Sequence, residues 1–153
     1  MTNISFEFFP PKTVTAAFAL QRIAKTLASF APQFLSVTCS GDPIKTLDTI
    51  AAMNKLGLGP LQAHITCATQ THEDLPAYLD AAKQERAKGI VALRGDATSQ
   101  GLDVPNLIQA ARLQGCEKIF VTAYPEVHPM AQTAQNDLDI LKRKQDAGAT
   151  VAI

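Results

Sequence analysis

The chain has 153 residues, with 14 basic and 14 acidic side chains that cancel, so neither a nucleic-acid-binding surplus nor an acidic disordered tail is indicated. Hydrophobic residues at 46% and charged residues at 18% fit a soluble domain with a substantial core. No apolar run approaches the roughly 20 residues of a membrane span, the start MTNISFEFFPP does not read as a signal peptide, and the scattered Cys39, Cys67 and Cys116 suit a reducing cytoplasm rather than a disulfide framework.

Strand-like runs begin roughly every 30 residues, the size of a βα unit. The first, Ile4–Phe9, alternates Ile4, Phe6 and Phe8 with Ser5 and Glu7. Leu20, Ile23, Leu27 and Phe30 then step by three and four as one helical stripe. The second strand, Phe34–Thr38, sets Leu35 and Val37 against Ser36 and Thr38. The third, Leu61–Cys67, sets Leu61, Ala63 and Ile65 against Gln62, His64 and Thr66. Thr71 and Asp74 resemble a capping box ahead of a helix bearing Leu75 and Leu79. The fourth strand, Ile90–Leu93, is expected to set Val91 and Leu93 against Arg94 and Asp96. Pro105 suits the first turn of a helix with Leu107 and Ile108. The fifth strand, Lys118–Tyr124, alternates Ile119 and Val121 with Thr122 and Tyr124. A helix with Ala134, Leu138 and Leu141 on one face follows, and a sixth strand opens at Ala149. Gly89, Gly115 and Gly148 fall between helix and strand, where left-handed helix ends are expected.

Strict alternation of strand and helix implies a parallel sheet. A doubly wound sheet is covered on both faces and its strands read as near-continuous apolar runs. Here one face of each strand is apolar and the other turns polar toward the carboxyl-terminal end. That pattern predicts a (β/α)₈ TIM barrel, represented by its first five βα units and the start of the sixth strand, in a single partial barrel domain over residues 1–153. Buried polar groups without partners cost roughly 2–7 kcal/mol each, so the polar strand ends predict a wet or ligand-filled pocket, where barrels carry their active sites.

Glu7 lies among aromatics in Phe6-Glu7-Phe8-Phe9-Pro10-Pro11, and desolvation there predicts a raised pKa and a general acid. The competing reading is an ion pair with Arg94 or a lysine. Arg94-Gly95-Asp96 closes the fourth strand, its glycine permitting close approach to a ligand. His64 and His128 stand at strand ends, and lone histidines are more often hydrogen-bonded structural residues than ligands. A zinc site from them with Cys39 or Cys67 lacks any close ligand pair. Lys142-Arg143-Lys144 reads as a solvated charge run near a helix end. Neither a G-x-G-x-x-G nor a P-loop sequence is present.

Phe6-Glu7-Phe8-Phe9-Pro10-Pro11-Lys12-Thr13, Ser36-Val37-Thr38, His64-Ile65-Thr66-Cys67 and Val91-Ala92-Leu93-Arg94-Gly95-Asp96 follow one another along the chain. Ala123-Tyr124-Pro125-Glu126-Val127-His128-Pro129 and Leu141-Lys142-Arg143-Lys144-Gln145-Asp146-Ala147-Gly148-Ala149 complete the set. In order and nearly end to end, these segments resemble the successive motifs of methylenetetrahydrofolate reductases. The resemblance implies an FAD-containing barrel that takes hydride from NADH or NADPH and reduces 5,10-methylenetetrahydrofolate to 5-methyltetrahydrofolate. It implies Glu7 as the acid that opens the folate's five-membered ring, and Asp96 beside the flavin, holding the pterin. Thr38, His64, Arg94, Gly95, Tyr124, His128, Ala131, Asp137, Arg143 and Lys144 would line the FAD site with Asp96, and Thr38 would also meet nicotinamide.

The segment after Thr38, Cys39-Ser40-Gly41-Asp42-Pro43-Ile44-Lys45-Thr46, is shorter than the family's, as is that between Asp96 and Leu107. Both help hold FAD in the family. The sequence stops at Ile153, within the expected sixth strand, which suggests a fragment, a truncated product or half of a split enzyme. The expected assembly is a homo-oligomer or a pairing with the rest of the barrel. A non-catalytic flavin- or partner-binding half-barrel, and a metal-dependent barrel using His64, Cys67 and His128, are the alternatives.

Overall fold

Each apolar stripe needs a second surface to bury it, and the alternation of strands and helices supplies one. The structure, a computed structural model, describes residues 3–95, 102–128 and 131–153. Its strands are β1 (Ser5–Phe8), β2 (Phe34–Val37), β3 (Leu61–Thr66), β4 (Gly89–Leu93), β5 (Ile119–Val121) and β6 (Val151–Ala152). Between them run α1 (Val14–Ala28), α2 (Pro43–Lys55), α3 (Leu75–Gln84), α4 (Val104–Leu113) and α5 (Ala134–Asp146), with a 3₁₀ turn at Cys67–Thr69.

Local chemistry sets the helix starts. The side chains of Thr13, Asp42, Asp103 and Thr133 accept hydrogen bonds from Ala16, Ile44, Asn106 and Asn136 backbone N–H groups, satisfying first-turn donors of α1, α2, α4 and α5. The pair expected to cap α3 works differently. Thr71 Oγ1 accepts from Asp74 N at 3.1 Å and donates to Asp74 Oδ2 at 2.7 Å, but this closes a turn, and α3 begins after it at Leu75.

The strands are all parallel and lie in sequence order from β1 to β6. Among the described residues the strand order shows no reversal of the kind a doubly wound sheet would require. The helices pack on one face. There Phe8, Leu35, Val37, Leu61 and Ala63 meet Ala24, Ile50 and Met53. Alongside, Ile65, Ile90, Ala92, Ile119 and Val121 meet Leu75, Leu79, Leu107, Ile108 and Ala111. The other face is concave. The rings of Phe34 on β2 and Phe120 on β5 lie 4.6 Å apart although two strands separate them, so the sheet curls around them. This is the half-barrel that the alternation predicts.

Two expectations are corrected. In β4 the helix-facing residues are Ile90 and Ala92, whereas Val91, in register with His64 and Phe120, and Leu93, in register with Thr66, lie on the concave face. The run Ile-Val-Ala-Leu is apolar at every position, so alternation could not fix its parity. Of the three glycines, Gly115 and Gly148 have the expected positive φ of 77° and 113°. Gly89 instead opens β4, where a Cβ would collide with Lys118 O and the Gln62 side chain, and the left-handed residue after α3 is Arg86 at φ 62°.

Candidate functional site

Parallel register places Glu7, Ser36, Gln62 and Gly89 side by side on the concave face, with His64, Val91 and Phe120 in the next row. Ser36, Thr38, Gln62, His64 and Thr66 are all buried. A fully helix-covered apolar sheet has no use for so many polar groups at one end, and those left unpaired carry a desolvation cost. Thr38 Oγ1 and Gln62 Oε1 are buried without a hydrogen-bond partner among the described residues.

His64 Nε2 lies 3.2 Å from Glu7 Oε2. The approach is close enough for a charge contact but is not aligned as a hydrogen bond. The His64 side chain is 6% exposed, and burial lowers its pKa from 6.5 to about 4. The ring is therefore neutral near pH 7, and the contact there is not an ion pair.

Glu7 departs from expectation. Phe6 and Phe8 turn toward the helices and Phe9 faces solvent, so the aromatics do not enclose the carboxylate, whose side chain is 51% exposed. Its neighbour is His64 rather than Arg94 or a lysine.

Where β3 ends, Thr69 Oγ1 lies 2.8 Å from Thr66 Oγ1 and 3.6 Å from Cys39 Sγ. Gln70 follows, buried, its Oε1 without a hydrogen-bond partner among the described residues. Thr69 and Gln70 were not legible as site residues, because they sit in an irregular turn outside any alternating pattern.

At the end of β4, Arg94 O accepts from Ala68 N at 3.2 Å, tying this strand end to the turn after β3. Gly95 has φ +81°, and a Cβ there would stand 2.9 Å from Ala68 Cβ and 3.0 Å from Thr66 Cβ. The glycine thus serves a close approach of chain to chain. Gly95→Ala should destabilise the fold by about 1–3 kcal/mol, through backbone strain and this crowding. A urea titration of both proteins measures it, and an unchanged midpoint would refute the strain. Asp96 lies outside the described residues.

A second cluster forms beyond β5. The rings of Tyr124 and His128 meet edge to face at 4.5 Å. Asp137 Oδ2 accepts from His128 N at 3.2 Å, and Ala131 N donates to His128 O at 2.8 Å. Lys144 is buried and its Nζ donates to Thr122 O at 3.0 Å. Burial lowers its pKa, and the charge of Asp137 partly opposes this. Thr122, Tyr124, Asp137, Leu141 and Lys144 line a pocket of about 20 Å³, room for roughly one water.

The charge run Lys142-Arg143-Lys144 is thus only partly solvated. Lys142 is exposed beside Asp146, and Arg143 is exposed with its Nη2 3.7 Å from Asp103 Oδ2, while Lys144 turns inward. Arg143 is therefore directed toward the start of α4.

Among the described residues, no group of three or more His, Cys, Asp or Glu is placed to hold a metal. Cys67 belongs to the helix-side core, so His64, Cys67 and His128 do not form the metal centre of that alternative. No described helix is long and apolar enough to cross a membrane.

A family model described as methylenetetrahydrofolate reductase matches residues 1–153. The 5,10-methylenetetrahydrofolate reductase of Salmonella typhimurium is 40% identical over 160 residues, covering 99% of this chain and 53% of that protein. Those of Pectobacterium carotovorum and Escherichia coli are each 38% identical, again over 99% of this chain and 53% of theirs. The chain spans about half the length of these curated relatives. Among solved structures, a putative phosphonomutase from Burkholderia cenocepacia superposes with a TM-score of 0.69 over 98% of this chain and 68% of its own. At 11% identity that likeness concerns the fold alone.

Proposed function

This chain belongs to the methylenetetrahydrofolate reductase family, and from that premise we propose that residues 1–153 form one partial barrel domain of a cytoplasmic enzyme reducing 5,10-methylenetetrahydrofolate to 5-methyltetrahydrofolate. FAD is the proposed cofactor and NADH or NADPH the hydride donor. The observation that carries the reading is the contact between Glu7 and the neutral, buried His64 on the concave face, among polar groups gathered at the strand ends.

The residues present fit a flavin. Thr38 offers a buried hydroxyl without a partner among the described residues, and Tyr124 offers a ring that is 46% exposed. The Thr122–Lys144 pocket adds a cationic group close to that ring. A bound FAD would supply the hydride-carrying chemistry between nicotinamide and folate.

The protein's own residues bind, orient and supply protons. Glu7 gives a proton to the departing folate nitrogen, Asp96 holds the pterin, and Thr38 meets nicotinamide. His64, Arg94, Gly95, Tyr124, His128 and Lys144 line the flavin. Asp137 and Ala131 fold the segment around His128 through their contacts with it. In this reading Cys67 and Cys116 take no part in the chemistry: burial pushes the Cys67 thiol up to about 11 and raises that of Cys116.

The full-length protein should purify with a yellow flavin chromophore. Anaerobic NADH or NADPH should bleach it, and methylenetetrahydrofolate should restore it. A protein that retains no flavin when supplied with FAD, or whose bleached flavin the folate leaves unchanged, would defeat the proposal.

A further inference from the structure

We propose that His64 is the positioning residue for Glu7, its imidazole fixing the carboxyl at the angle from which it meets the folate. This goes beyond lining the flavin and rests on the reading of Glu7 as the general acid.

The two side chains are unequal partners. Glu7 projects from a strand of four residues and its side chain is 51% exposed. A glutamate that exposed retains several rotamers, and confining it to one costs conformational entropy. A general acid must nonetheless meet one nitrogen within hydrogen-bond reach. His64 supplies the fixed end. All six residues of β3 are buried. The backbone carbonyl of His64 also accepts a hydrogen bond from the Tyr78 hydroxyl at 3.2 Å, from the helix side of the sheet. The ring therefore projects into the concave face from an anchored strand, and its Nε2 reaches Glu7 Oε2.

Charge makes histidine suitable for this task where lysine or arginine is not. A permanent cation at 3.2 Å would favour the ionised carboxylate and weaken Glu7 as an acid. The buried ring of His64 is neutral near pH 7. A neutral imidazole donates from Nε2–H to a carboxylate, and in its other tautomer accepts the proton of a carboxylic acid. It can hold Glu7 in both protonation states without fixing either. The contact is not aligned as a hydrogen bond here, and catalytic hydrogen bonds are often loose before substrate binds.

The test is a double-mutant cycle on the folate step of the full-length enzyme, read as kcat and KM separately. His64→Leu should lower kcat by about 10²-fold, the scale of a misplaced catalytic group. His64→Gln, which carries an amide to about the position of Nε2, should recover at least about tenfold of that loss, and a merely space-filling role predicts no such rescue. In the Glu7→Gln background, His64→Leu should add no more than about twofold, because its effect passes through the carboxyl. Independent multiplication of the two effects, or a glutamine variant no better than leucine, overturns the proposal. Should the leucine variant fail to fold, His64→Asn, whose shorter amide does not reach the Nε2 position, takes its place in the same cycle. A Glu7→Gln enzyme with a normal folate step would instead remove the acid role itself, so that one variant tells the two failures apart.

Discussion

Glu7→Gln should slow the folate step by roughly 10²–10⁴-fold, the range of a positioned general acid, and should affect flavin reduction by nicotinamide far less. Opening the methylene bridge breaks a carbon–nitrogen bond, and the nitrogen leaves well only once a proton reaches it. Hydride transfer from a nicotinamide requires no such proton. Glutamine keeps the shape and a hydrogen-bonding group at the position 3.2 Å from His64 Nε2 but has no proton to release. Stopped-flow absorbance of the flavin separates the two steps, bleaching reporting the first and recovery the second. Equal slowing of both would assign Glu7 a structural role on the concave face.

Acid should destabilise the fold through His64. Its pKa falls from 6.5 to about 4 on burial. Between those values the unfolded chain takes up a proton that the folded chain excludes, so stability rises with pH there and is lost as pH falls. The stabilisation is fully present well above pH 6.5, and roughly 3 kcal/mol of it is lost by pH 4. Carboxylates titrate in part of the same window, so the informative quantity is a difference. The unfolding free energy of the native protein should fall more steeply from pH 6.5 to 4 than that of His64→Gln. Parallel curves for the two proteins would show that the ring is readily protonated in the folded state.

The alternation that exposes the barrel also exposes the polar interior of β2 and β3, because Ser36, Gln62, His64 and Thr66 each sit between apolar neighbours. β4 hides its parity, since all four residues from Ile90 to Leu93 are apolar and only the register with β3 and β5 decides which pair meets the helices. The environment of Glu7 follows from the pleat of its strand. Neighbours in a strand point to opposite faces, so Phe6 and Phe8 cannot cover the carboxylate between them, and the effective neighbour comes from β3. Lys144 lies in a run that looks uniformly solvated. It is buried because the helical step places it against the end of β5, while Lys142 and Arg143 point away. Thr69 and Gln70 carry no periodic signal at all. The order of the motifs is readable because the first five fall at strand ends and the last, residues 141–149, closes α5, positions set by local chemistry.

Strand order bears on how this sheet comes into being. Among the described residues, each strand from β2 onward pairs with the one preceding it in the chain. Every pairing closes a span of roughly 30 residues, so the entropy of loop closure is met in similar small instalments. Arrangements dominated by such near-neighbour contacts fold faster than those that join distant segments. Synthesis proceeds from the amino terminus at about 5–20 residues per second. As each βα unit leaves the ribosome, the edge it must join is already exposed, so assembly can keep pace with translation, one unit at a time.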